Sequence, residues 1–238
     1  MDFSRKIYSI AHFITLVYVL VIWSSLRTFE FMHFSSLLQI PILFLFAYFG
    51  FRFFIFFISM IINKNKILKK IILGASYFEG IWVGYYFVEK NAPVIFYQII
   101  EQNIEYTNIL SEAYNYHVDR SCSYKSRWHS SGNVTIDSSK SSINYLYEID
   151  ENNQIQHLGL FSGIYFKESH IESPFRITGF SYSMHSNTKS TFILRKISDR
   201  ITIANINTLI QVAINFYEEE NSNLSSSSLY ADIPKPKE

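Results

Sequence analysis

The chain has 238 residues, 48% hydrophobic and 18% aromatic, with 21 basic and 20 acidic side chains. That length accommodates one domain of ordinary size plus extras. The single cysteine, Cys122, excludes an intrachain disulfide and a cysteine-built metal site, and it suits a reducing compartment. The net charge of +1 hides a split: residues 1–70 carry 8 basic and 2 acidic residues, whereas residues 71–238 carry 13 and 18. The larger part is therefore net negative and lacks the basic face that a binder of nucleic-acid polymers usually shows.

Residues 7–26, IYSIAHFITLVYVLVIWSSL, contain no Asp, Glu, Lys or Arg. A helix of ~20 such residues crosses a ~30 Å hydrocarbon core. Residues 37–62, LLQIPILFLFAYFGFRFFIFFISMII, form a second candidate span interrupted by Arg52. No small-residue cleavage site follows the first segment and a second apolar segment does, so it reads as an anchor rather than a cleavable signal. Arg5 and Lys6 precede the first span, and Lys64, Lys66, Lys69 and Lys70 follow the second. The positive-inside rule then places both ends of this two-helix region, and everything after residue 70, in the cytoplasm. Arg52 has two readings. It lies near the cytoplasmic end and snorkels, or it faces other helices or water in an assembled state, since a mid-span charge is costly.

From residue 78 the pattern becomes short runs rich in Tyr, Phe, Ile and Thr, broken by KNAP, QNIE, a loop around Asp119, DSSK, DENNQ, ESHIES and HSNTK. Strands are expected at 78–88, 93–101, 106–116, 125–137, 142–150, 156–167, 174–184 and 189–198, linked as hairpins. Closing such a meander removes its exposed edges. The expected fold is all-β and membrane-anchored: two N-terminal transmembrane helices followed by a small eight-stranded antiparallel, lipocalin-like β-barrel over 71–205. An eight-stranded barrel holds side chains or one small ligand. Ile143, Tyr145, Tyr147 and Ile149 share one strand face, and Arg176, Thr178, Phe180 and Tyr182 share another. Residues 206–220 have helical spacing, although an extra strand also fits, and the Ser- and Pro-rich stretch 221–238 reads as a disordered tail.

The seven histidines show no helical metal spacing, and GxSxG, Walker-type and GxGxxG motifs are absent from the sequence. No catalytic residue, metal or cofactor is assigned, and enzymatic activity is not expected. Aromatic faces stack on purine rings and arginines grip phosphates. The candidates for such contacts are Tyr86, Arg127, Trp128, Tyr145, Tyr147, Arg176, Tyr182 and Arg195. In FEGIWVGYYF, Gly80 and Gly84 allow a tightly curved first strand, and Trp82 fills one end of the barrel.

Two N-terminal helices, a lysine-rich exit and a barrel opened by FEGIWVGYYF, with SRWHSSGNVTIDSS, INYLYEID and FRITGFSYS as later strands, resemble the two-helix, β-strand-rich membrane effectors of CBASS. CBASS is the bacterial cyclic-oligonucleotide antiphage signalling system. The resemblance covers roughly residues 5–198. It implies a barrel that binds a cyclic dinucleotide made by an operon-encoded nucleotidyltransferase, followed by homo-oligomerisation and disruption of the inner membrane, killing the infected cell. Arg52, Gln39 and Ser59 are groups that could line a wet defect in the bilayer. The alternatives are a tethered lipocalin-like module for a lipid or other apolar ligand, and a docking scaffold.

Overall fold

The computed structural model describes residues 3–28, 36–87, 93–103, 106–151, 154–168, 172–201 and 205–226. Residues 29–35, between the two expected spans, and residues 227–238 of the expected tail lie outside these residues. The chain divides into two units, Met1–Leu73 and Gly74–Glu238.

The first unit contains α1 (Phe3–Thr28), α2 (Ser36–Lys64) and the short α3 (Lys66–Leu73). Both α1 and α2 are long and apolar enough to cross a membrane. Their outer side chains are not covered by protein: Phe13 is 69% exposed and Phe44 is 72% exposed. The two helices meet at small residues, which let their backbones approach closely. Ala11 is fully buried, Thr15 donates its hydroxyl to the Ala11 carbonyl at 2.7 Å, and Gly50 lies against the Tyr18 ring. His12 stacks on Phe51 with ring centroids 4.4 Å apart. After α2 the helix breaks at Asn65, whose side-chain oxygen accepts from the backbone N–H groups of Ile67 and Leu68 and so caps α3.

Arg52 is exposed. It lies twelve residues before Lys64, about 18 Å along the helix axis. Arg52 thus sits close to the middle of α2. Its guanidinium carbon lies 5.7 Å from the Tyr48 ring centroid.

The second unit begins with a 3-10 turn, Gly74–Ser76. Eight strands follow: β1 (Gly80–Phe87), β2 (Val94–Gln102), β3 (Thr107–Tyr116), β4 (Cys122–Asp137), β5 (Ser142–Glu151), β6 (Gln154–Phe166), β7 (Arg176–Ser183) and β8 (Thr188–Ser198). All eight expected strands are present. They form a closed antiparallel barrel in sequence order, with β8 pairing back onto β1. The last element, α4 (Ile206–Ser226), is a helix and not a further strand. It extends six residues into the stretch expected to be disordered, since no Pro or Gly stops it before Ser226.

Closure requires β1 to press against β8. A Cβ at Gly84 would lie 2.9 Å from Leu194 Cδ2 and nearer still to the Ile193 carbonyl oxygen. Gly80 has φ +136°, which favours glycine, and faces the Ser198 carbonyl. At this end the barrel is solid. Trp82 is fully buried, donates its indole N–H to the Phe78 carbonyl at 2.9 Å, and packs with Phe78 and Tyr165. Gln102 ties down the incoming chain: its side-chain oxygen accepts from the Phe78 N–H and its amide donates to the Ser76 carbonyl, both at 2.8 Å. A second apolar cluster lies outside the wall, where Leu209, Ala213, Ile214 and Phe216 of α4 cover Ile81, Val83 and Tyr85 of β1 and Ile95, Tyr97 and Ile99 of β2. The helix therefore flanks the barrel and does not plug it.

Candidate functional site

The strand pleat decides which predicted residues reach the interior. On β1 the inward positions include Trp82 and Tyr86, on β4 Trp128, and on β5 Ile143, Tyr145, Tyr147 and Ile149. Toward the end where β1 finishes, the interior opens into a cavity of about 300 Å³. Its apolar wall includes Phe96, Trp128, Ile149, Phe161 and Phe192, with Tyr86 and Tyr147 beside them. The wall is braced by ring stacking, Tyr145 on Phe161 at 4.5 Å and Phe161 on Phe192 at 4.0 Å.

The cavity thus brings together Tyr86, Trp128 and Tyr147 of the predicted set. Tyr145 lies deeper, its hydroxyl accepting from the Gln98 amide at 2.9 Å, and it does not line the cavity. Burial pushes the hydroxyl pKa of Tyr86, Tyr145 and Tyr147 up. They serve as neutral hydrogen-bonding groups, not as charges.

The remaining four predicted residues are corrected: Arg127, Arg176, Tyr182 and Arg195 are not in the cavity. Arg127 is on the outer face, 3.9 Å from Glu112. Tyr182 bonds Asn187 at the β7–β8 turn. Arg176 and Arg195 are register partners on β7 and β8, and α4 claims both. Arg176 donates bidentately to Glu220 at 3.0 and 2.8 Å, while Arg195 donates to Glu219 at 3.0 Å and lies over the Phe216 ring at 4.4 Å. The preceding Glu218 accepts from the Tyr116 hydroxyl and pairs with Arg120. Three consecutive glutamates thus clasp the helix to the wall, using arginines that chemistry alone would assign to a phosphate.

The basic groups at the cavity come from elsewhere. Between β3 and β4, Ala113 pairs with Ser126 and Tyr114 with Tyr124, leaving Lys125 as the extra residue of a β-bulge. Bulges re-aim side chains, and Lys125 joins the cavity lining with its ammonium 5.4 Å from the Tyr86 ring centroid. His157 of β6 and His185 of the β7–β8 turn also line it, with rings stacked 3.8 Å apart and 14° from parallel. The polar part of the lining is otherwise hydroxyls: Ser126, Ser181, Ser183, Ser186, Thr188 and Ser190. Among the described residues, no Asp or Glu lines the cavity. Gly159 makes the shape possible, because a Cβ there would lie 2.6 Å from Tyr147 Cε2 and nearer its Cζ, so the ring lies flat over the glycine. Among the described residues, no three His, Cys, Asp or Glu side chains group as a metal site.

Sequence reading missed Lys125, His157, His185 and the hydroxyls. The usable signal was the alternation in ITGFSYS, where Gly179, Ser181 and Ser183 fall on the face opposite Arg176 and Tyr182. Small residues belong on the crowded inner face of a narrow barrel.

No protein-family model matches the chain, and no curated protein matches it. Among solved structures, a de novo designed fluorescence-activating β-barrel is similar at 13% identity and a TM-score of 0.31, over 52% of this chain and 96% of that one.

Proposed function

We propose that this chain is a membrane-anchored sensor whose barrel cavity binds a cyclic dinucleotide, and that binding gathers the α1–α2 anchors into an assembly that breaks the bilayer as part of antiphage defence. The observation that carries this reading is the cavity. It has aromatic walls for a base, basic and hydroxyl groups for phosphates, and no carboxylate among the described residues that line it. Its volume is at the small end of ligand pockets, so it accommodates one base-bearing part of such a ligand at a time. The lysines after α2 favour a cytoplasmic barrel, where such a messenger is made. The protein acts by binding and assembly and not by catalysis. The ligand drives assembly only to the extent that it binds the assembled state more tightly.

The test is to reconstitute the full chain in dye-filled liposomes and add a panel of cyclic dinucleotides. Saturable binding with ligand-dependent dye release is expected. Binding without release removes the membrane-disrupting role, and neither effect with any member removes the reading. A second reading, a tethered carrier of an apolar molecule, is favoured by the apolar part of the lining. Tight binding of an uncharged apolar probe with no competition from cyclic dinucleotides would establish it instead.

A further inference from the structure

We propose that the cavity mouth is an anion site coupled to protonation of the His157–His185 pair, and that its ligand is a short, broad ring-bearing anion. The inference rests on the reading of the cavity as a ligand site, but not on the identity of the ligand. Among the described residues, Lys125 and the two histidines are the basic side chains in the lining, and no Asp or Glu is part of it. The histidine rings stack face to face at 3.8 Å. Two imidazolium rings at that separation repel, and an anion seated between them and Lys125 offsets the repulsion. Nδ1 of His157 is buried with no hydrogen-bond partner among the described residues. Buried polar atoms of that kind are uncommon and call for a partner. A protonated ring donates through both nitrogens, which an anion accepts.

The charged and titratable neighbours are few. On β5 the register partner of His157 is Ile149, and Asp150 follows it with one buried, unpartnered carboxylate oxygen. Lys189 on β8 lies over Phe180 at 4.2 Å. Tyr86 and Tyr147 remain neutral because burial raises both hydroxyls. Tyr145, stacked on the lining residue Phe161, and Phe161 stacked on Phe192 bound the cavity toward the closed end, which favours a short ligand over a long acyl chain. The occupant is one ring system with its anionic group at the mouth.

The experiment uses the full chain in detergent micelles with phenyl sulfate, an aryl anion that does not titrate near neutrality, and phenol as its uncharged counterpart. Calorimetry is run near about pH 6 and about pH 8, on either side of the ordinary histidine range, in two buffers of different ionisation enthalpy. Phenyl sulfate is expected to bind roughly tenfold or more tightly at the lower pH. Its heat should differ between buffers as protons are taken up, whereas phenol shows neither effect. His157→Asn and His185→Asn are each expected to remove the proton uptake, and Lys125→Met to weaken binding at both pH values. His185 is exposed in a turn, so its variant serves if His157→Asn does not fold.

Absent or pH-independent binding of phenyl sulfate overturns the proposal, as does proton uptake that survives in both histidine variants. Loss of the uptake in Asp150→Asn with affinity unchanged also overturns it, by placing the proton in an ion pair within the protein. If cyclic dinucleotides fail while phenyl sulfate behaves as expected, the functional reading falls and this inference stands. Cyclic dinucleotide binding that ignores pH and both histidines has the opposite meaning.

Discussion

Replacing Gly84 with alanine tests whether the barrel closes as described. The new methyl would meet Leu194 Cδ2 at 2.9 Å and the Ile193 carbonyl oxygen more closely. Leu194 can adjust, but Ile193 is backbone in the β1–β8 ladder, pairing with Tyr85. Overpacking of this kind costs about 1–3 kcal/mol, offset by roughly 0.4–1 kcal/mol from the stiffer unfolded chain. A net loss of about 2 kcal/mol near the upper part of that range should lower the melting midpoint of a domain this size by about 4–8 °C. Trp82 and Trp128 are both in the barrel, so tryptophan emission during a thermal ramp in detergent reports it. Gly132 is the control: its φ is +76° and nothing lies within 4 Å of an added Cβ. Asparagine tolerates that backbone region better than alanine. Asparagine should therefore be milder than alanine at Gly132, and no milder than alanine at Gly84. A Gly84→Ala protein as stable as the wild type, or rescue of Gly84 by asparagine, would refute the close-approach argument.

Phe216→Ala removes a fully buried ring that packs on Tyr85 and beneath Arg195. Its cost should be about 3–5 kcal/mol, read as loss of hydrogen-exchange protection along α4. Asp137 accepts from the Ser139 hydroxyl and N–H and from the Lys140 N–H, and these bonds hold its carboxyl below the usual range. A lowered folded-state value means its stabilising effect is present above the ordinary carboxylate range and lost as pH falls through the folded value. The amide shifts of Ser139 and Lys140 should follow that titration, and Asp137→Asn should abolish it. Arg52→Leu removes a mid-span charge that costs about 2.5–3.5 kcal/mol on insertion scales. Membrane insertion should become more efficient and ligand-triggered leakage weaker. Unchanged leakage at equal protein density would remove Arg52 from the assembly.

The barrel was legible because polar turn-formers punctuate the strands and INYLYEID alternates cleanly. The site was only partly legible, for a definite reason. Period-two patterning separates two strand faces but does not say which is inside when both carry aromatics. FRITGFSYS illustrates this, since the arginine-bearing face proved to be the outer one. The partners of Arg176 and Arg195 are glutamates 44 and 24 residues away, and their pairing depends on where α4 docks. Lys125 reaches the cavity through a bulge, which shifts the pleat without a sequence marker. His157 and His185 meet only because a hairpin turn lays one over the other.

Trp128 offers the most direct measurement of the central claim, because it lines the cavity while Trp82 is buried at the closed end and Trp23 belongs to α1. Titrating the full chain in detergent with cyclic dinucleotides should produce saturable quenching of tryptophan emission for at least one of them. That response should disappear in Trp128→Phe and in the cavity-filling Ser181→Phe. No saturable response to any of them, or quenching that persists in both variants, would contradict a nucleotide-binding cavity.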